Sequence, residues 1–299
     1  MTLKQLEAFY WAANCASFAV AAGRLHLSIS SLSKRINELE LSLGLPLFDR
    51  TGHKAVLTET GQRLLPRAWH LLQEAEDIRQ TIGQDTSLTG RCRLGVGEFT
   101  ALTWLPRMLA MAKRAHPGLV LEPTVDMGLE LQRKMQRGEF DFAIIAGRAR
   151  SADMNTELIG EAEFSWVIAA DADRACAAVT PALLQRFPVV TLPAGAGTNY
   201  LLNDWVSAHG QLNCQRLICN NWRSIAGLVA SGVGVGLLPT SWARNFEQRG
   251  QLRILQSKPA LGPLAYSFQW RNDDNRPLLR AMREIVHATV DLTIAHQLM

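Results

Sequence analysis

One short helical stretch holds the side chains best placed for chemistry. From Ile29 to Leu43 the apolar residues Ile29, Leu32, Ile36, Leu39 and Leu43 step by three and four, so a helix here has one stripe to bury. That leaves Ser30, Ser33, Lys34 and Asn37 on the opposite, outward face. Short hydroxyls, an amide and a cation on one face suit contacts to phosphates and base edges in a major groove. Arg24, Arg35, Arg50, His53 and Lys54 stand around it and would add phosphate contacts. The same face is also what an ordinary solvated helix presents. Residues 1–58 carry six Lys and Arg against four Asp and Glu, too small an excess to choose between the two readings.

Other chemistries find less support. Gly95-Val96-Gly97-Glu98 and the glycines of 232–236 imitate phosphate loops, but neither completes GxGxxG with an acidic partner, nor GxxxxGK[ST]. Cys214 and Cys219 could form a redox pair, yet their spacing is not diagnostic and buried structural cysteine is the commoner case. The seven histidines form no HExxH or clustered ligand set, so neither a metal nor any other cofactor is expected. No G-x-S-x-G elbow appears, and no nucleophile has an evident base.

The elements that must position the helical face follow from pattern. Leu3, Leu6, Phe9, Tyr10 and Ala13 make a first helix, and Ser17 caps a second with Phe18, Ala21, Ala22 and Leu25 inward. Leu27-Ser28 breaks the chain before the third helix, which Gly44 ends. Two short strands, 47–50 and 55–57, close a small hairpin. In 59–83, Leu64, Ala68, Leu71, Ala75, Ile78 and Ile82 step 4, 3, 4, 3, 4, a heptad seam that a second copy of the chain would cover. Packing onto its own domain is the alternative. Pro66 lies inside this helix and predicts a kink or a late start. The polar run 84–90 reads as a hinge.

From Arg91 onward strands and helices alternate, which predicts parallel sheets covered by helices on both faces. A second such set begins near Glu163, and the strand 265–270 with the helix 277–292 returns to the first. The expected fold is α/β overall: an N-terminal helical domain at 1–58, a linker helix and hinge at 59–90, and a two-lobed α/β domain at 91–299. Lobe I takes 91–161 and 265–299, and lobe II takes 162–264. With 299 residues, 47% hydrophobic and 19% charged, the chain has ample material for two cores. The net charge of +4 favours neither nucleic acid nor membrane. Five scattered cysteines imply no disulfide framework, and no apolar run reaches roughly 18 residues, so a soluble, cytoplasmic protein is expected.

Order and identity of residues add a resemblance. Leu6, Phe9, Ser17-Phe18, Ala21-Ala22, Leu25, Leu27-Ser28, Ser33, Ile36, Leu39-Glu40, Leu43-Gly44, Leu47-Phe48, Arg50, Leu57-Thr58 and Gly61 match, without gaps, the winged helix-turn-helix of the LysR-type transcriptional regulators. Leu105-Pro106, Gly138–Ile144 and Gly232–Pro239 look like that family's effector-domain signposts, so the resemblance spans essentially the whole chain. One stretch departs. The family's Ser-Gln-Pro-Ala-Val-Ser is here Ser28-Ile29-Ser30-Ser31-Leu32-Ser33. A glutamine can bond adenine, whereas Ile29 can touch only an apolar group such as a thymine methyl, so base preference is expected to change there.

The resemblance implies a double-stranded, inverted-repeat promoter site, a small-molecule effector, and a dimer assembling into a tetramer, with RNA polymerase as a further partner. It places effector contacts at Phe99, Thr100 and Ala101, at Met127, Gly128 and Leu129, at Ala146 and Gly147, and at Thr198, Asn199 and Tyr200. Thr100 and Thr198 stand near helix starts, where N–H groups and a hydroxyl together hold a carboxylate; both could equally be caps. Some relatives that bind aromatic acids carry arginine where this chain has Ala146, which leaves a neutral or weakly anionic effector open, unless Arg148 substitutes. The rival classes are a solute-binding module with an accessory helical domain and, third, an enzyme. Steep loss of DNA affinity with salt would separate the first reading from both.

Overall fold

In the computed structural model the described residues are 1–15, 17–50, 55–82, 88–147, 153–172, 176–210 and 213–294. The first domain is built from α1 (Leu3–Asn14), α2 (Phe18–Arg24), α3 (Ile29–Leu43) and the ribbon β1 (Phe48–Asp49) with β2 (Val56–Leu57). Thr2 and Gln5 cap α1 reciprocally, and the Ser17 and Ser28 side chains accept N–H bonds at the starts of α2 and α3. Gly44 ends α3 at φ +70, a left-handed cap that a side chain would resist. Leu6, Phe9, Ala21, Ala22, Leu32, Ile36 and Leu39 form the core. Leu43, expected in the stripe, is exposed at the helix end.

Next comes α4 (Glu59–Ile82), continuous through Pro66. Its seam divides between two duties. Ala68 is fully buried on the first domain, Leu64, Leu65, Trp69 and Leu72 pack there, and Trp69 stacks on Tyr10 at 5.0 Å. Leu71 and Ile78 instead stand about half exposed.

Lobe I contains β3 (Gly90–Val96), α5 (Glu98–Leu102), α6 (Leu105–Ala115), β4 (Leu119–Val125), α7 (Gly128–Gln136), β5 (Phe142–Ala146) and β6 (Met154–Ala162). Lobe II runs through β7 (Phe164–Ala169), α8 (Pro181–Arg186), β8 (Val189–Thr191), α9 (Thr198–Ala208), β9 (Arg216–Ile218), α10 (Trp222–Ala230), β10 (Val235–Pro239), α11 (Thr240–Gln248) and β11 (Leu252–Leu255). The chain then returns to lobe I through β12 (Leu264–Arg271) and α12 (Pro277–Thr289). The sheet orders are β4-β3-β5-β12-β6 and β11-β7-β10-β8-β9.

These sheets are mixed, which corrects the parallel expectation. β12 lies antiparallel between β5 and β6, and β7 lies antiparallel between β10 and β11. Each lobe receives one strand from the other, β12 in lobe I and β7 in lobe II, and that strand runs against those formed by helical crossovers, whereas β6 and β11, each antiparallel to it, run the same way as they do. No helix among the described residues is long and apolar enough to cross a membrane.

Candidate functional site

On α3 the buried stripe is Leu32, Ile36 and Leu39, and the outer face is open. Ile29 is 54% exposed, Ser28, Ser30, Ser31, Lys34 and Asn37 are exposed, and Ser33 and Arg35 are half-buried. The Ser28 hydroxyl accepts the Ser31 N–H at 3.1 Å and lies 2.8 Å from the Ser30 and Ser31 hydroxyls, so the first turn presents a serine cluster. Glu40 accepts the Leu47 and Phe48 N–H groups with one oxygen and pairs with Arg50 through the other at 3.3 Å. Arg50 also donates to Asn37 at 2.7 Å, which holds its guanidinium beside the α3 face. His53 and Lys54 lie outside the described residues.

Arg24 requires a correction. It was expected beside that face as a phosphate contact; instead its side chain is only 5% exposed and points into the two-lobed domain. Its guanidinium pairs with Asp141 at 3.0 Å and Asp274 at 3.1 Å, donates to the Gly138 carbonyl, and lies 3.8 Å over the Trp11 ring. Arg276 completes the cluster, 2.6 Å from Asp141 and 2.7 Å from Asp274. Around it, the Tyr10 hydroxyl donates to Asp273, Arg271 donates to the Asn14 carbonyl, and Arg93 donates to the Gly23 carbonyl. The helical domain is thus locked onto lobe I by buried charge. Position in the sequence suggested nothing of this, because every bond across the joint links residues about 70 or more positions apart.

Between the lobes lies a cavity of about 610 Å³. From lobe I it is lined by the end of β3 with Glu98 and Phe99, the start of α7 with Met127 and Gly128, Ala146, and Tyr266. Lobe II contributes Pro193 to Thr198 in part, and Asn220 to Trp222 at the start of α10. Strand ends and helix starts converge here, where open α/β sheets hold ligands. Among the described residues, bonds that cross the cleft include Glu98 Oε2 accepting the Trp222 N–H at 3.0 Å and the Leu129 N–H donating to the Gly195 carbonyl at 3.2 Å. Burial pushes the Glu98 carboxyl up, while the Trp222 N–H and the charge of Arg223 pull it back. Asp126 is settled by Lys134 at 2.8 Å and by the Met127 N–H.

The expected effector residues divide into three groups. Phe99, Met127, Gly128, Ala146 and Thr198 line the main cavity. Leu129, Asn199 and Tyr200 face a smaller neighbouring one of about 200 Å³, and Asn199 already donates to the Leu192 and Pro193 carbonyls. Thr100, Ala101 and Gly147 line neither. Thr100 is fully buried, its hydroxyl has no hydrogen-bond partner among the described residues, and it caps no helix there. Gly147 sits at φ +101 against the Tyr200 ring, where a Cβ would come within 2.8 Å. Arg148 lies outside the described residues. Glu98, Tyr266 and Trp222 were missed. Glu98 was noticed only as the end of a false phosphate loop, whereas Tyr266 and Trp222 are brought in by the returning strand and by the second lobe.

Residues 3–62 match the family model described as "Bacterial regulatory helix-turn-helix protein, lysR family", and residues 85–291 match "LysR substrate binding domain". Among curated proteins the chain is 28% identical over 252 residues to the HTH-type transcriptional regulator YeiE of Escherichia coli (strain K12), covering 84% of this chain and 85% of that protein. It is 26% identical over 253 residues to the HTH-type transcriptional regulator GltR of Bacillus subtilis (strain 168), covering 85% and 84%. Among solved structures, a full-length variant of OxyR from Pseudomonas aeruginosa superposes with a TM-score of 0.66 at 23% identity over 97% of this chain and 95% of that one, a likeness of fold.

Proposed function

The chain belongs to the LysR family of bacterial transcriptional regulators, with a helix-turn-helix DNA-binding domain and an effector-binding domain, and on that premise we propose which surfaces do the work. The observation that carries the proposal is the open, serine-rich face of α3 opposite its buried stripe. Ile29, Ser30, Ser33, Lys34 and Asn37 read base edges and adjacent phosphates in a major groove. Ser28, Ser31, Arg35 and Arg50, with His53 and Lys54, fix the register through phosphates.

Two copies pair through the exposed Leu71 and Ile78 of α4, placing two α3 helices on successive grooves of an inverted repeat. Two such dimers form the tetramer that contacts promoter DNA and, through it, RNA polymerase. Effector enters the inter-lobe cavity and changes the angle between lobes across the Glu98–Trp222 and Leu129–Gly195 bonds. The buried Arg24–Asp141–Asp274–Arg276 cluster passes that change from lobe I to the DNA-binding domain, as a shift of population between two assemblies.

The test is binding of the purified protein to DNA upstream of its own gene, by fluorescence anisotropy across a salt series with random DNA as competitor. Tight, competitor-resistant binding whose log affinity falls steeply with log salt is expected. Binding no better than to random DNA, there and in a genome-wide selection of bound fragments, would defeat the assignment of the α3 face.

A further inference from the structure

The cleft is unusual in its charge. Among the described residues that line it there are two carboxylates, Glu98 and Asp126, and no lysine, arginine or histidine. The nearby Lys134 is already spent on Asp126 at 2.8 Å, and Arg223 lies outside the lining. Glu98 is different from Asp126. Its Oε2 takes one backbone N–H, from Trp222, and no second hydrogen bond or ion pair engages it among the described residues. The buried rings of Phe99, Trp222 and Tyr266 belong to the same lining.

A carboxylate partly withdrawn from water, helped by one N–H and by the more distant charge of Arg223 but in contact with no cation among the described residues, is costly, and a ligand cation would lower that cost. Aromatic rings in the same lining add attraction for a cation held there. An anionic ligand, by contrast, would meet Glu98 at short range, and the Trp222 N–H that it would use at the start of α10 is already occupied by Glu98. The resemblance left a neutral or weakly anionic effector open; the composition of the cleft argues for the opposite charge.

We infer that the cleft takes an effector carrying an ammonium or guanidinium group on an apolar body, with Glu98 as the acceptor of that group. The inference rests on the reading that this cleft is the effector site. Binding would neutralise Glu98 and compete with, or rigidify, its bond to Trp222, so the same residue that selects the ligand also senses it across the lobes.

The experiment is titration calorimetry on the full-length protein with matched probes: phenethylamine against hydrocinnamate, and cadaverine against glutarate. At least one amine should bind, at least tenfold more tightly than its matched carboxylate. Glu98→Gln keeps an oxygen for the Trp222 N–H but removes the charge, and should weaken the amine at least tenfold. Ala146→Leu fills part of the cavity without adding a charge or an aromatic face and should weaken any ligand bound there. Carboxylates that bind, lose affinity in Ala146→Leu and gain it in Glu98→Gln would overturn the amine class while leaving the cleft as the effector site. Amine binding indifferent to both variants would place it elsewhere and overturn both readings, and failure of both amines to bind would overturn the inference.

Discussion

Ile29 stands more than half exposed at the first turn of α3, an apolar side chain where its relatives' pattern carries an amide. On DNA it can desolvate a thymine methyl but offers no hydrogen bond, so Ile29→Gln should shift the preferred base at one position of each half-site toward adenine. Selection of bound sequences from a random pool, wild type beside variant, reads this directly; identical base preferences would remove Ile29 from the base-reading set. Ser33, half-buried one turn further on, faces the same way without belonging to the stripe. Ser33→Glu brings a negative charge toward phosphate and should lower operator affinity at least a hundredfold while sedimentation shows the assembly unchanged. Unaltered anisotropy would take the recognition role away from this face.

At the scale of the element, α4 shows how one apolar stripe serves two partners. Its first half is consumed by the α1 core, where Ala68 has no exposed surface and Trp69 stacks on Tyr10. Its second half leaves Leu71 and Ile78 uncovered, an apolar pair one heptad apart that a second α4 would bury. Leu71→Arg should therefore leave the monomer folded, since that half-exposed side chain lies outside its core, yet break the dimer and weaken DNA binding indirectly. Sedimentation across a concentration series checks it, and a variant that stays fully dimeric would show that α4 pairs through some other face.

For the whole molecule the decisive feature is the joint between the DNA-binding domain and lobe I. Removing one member of a buried charge cluster leaves its partners uncompensated, so Arg24→Gln should cost about 3–5 kcal/mol, measurable by urea denaturation. Hydrogen exchange should rise at α1 and at the Arg271–Arg276 turn together if the joint opens as a unit. Burial alone would raise the Asp141 carboxyl, but Arg276 and Arg24 hold it below its ordinary 3.8. Asp273 is likewise held low, burial being outweighed by Arg271 and the Tyr10 hydroxyl. A carboxyl depressed in the fold stabilises it fully above the unfolded value and loses that contribution as pH falls through the folded one. Denaturation midpoints should thus be insensitive to these two groups from neutrality down to about pH 5 and should decline below about pH 4.

Local pattern by itself determined the first domain almost to the residue, because caps, breaks and three-four spacing act within a few positions: α3 runs Ile29–Leu43 as its stripe requires. It also determined the two lobes and the return of the last strand. The element from Met154 to Ala162, and α8, α11 and β11, escaped notice because their apolar residues are few or are shared with neighbours. Strand direction in the two sheets, the half-and-half use of α4, and the burial of Arg24 were decided only by tertiary structure. Each depends on which distant segment arrives alongside: Arg24 meets Asp141 and Asp274 across more than a hundred residues, and Glu98 meets Trp222 across 124. A basic side chain reads as a surface group until the fold brings carboxylates to it. Coulomb attraction and desolvation act over ångströms in space, and spacing along the chain carries no record of them.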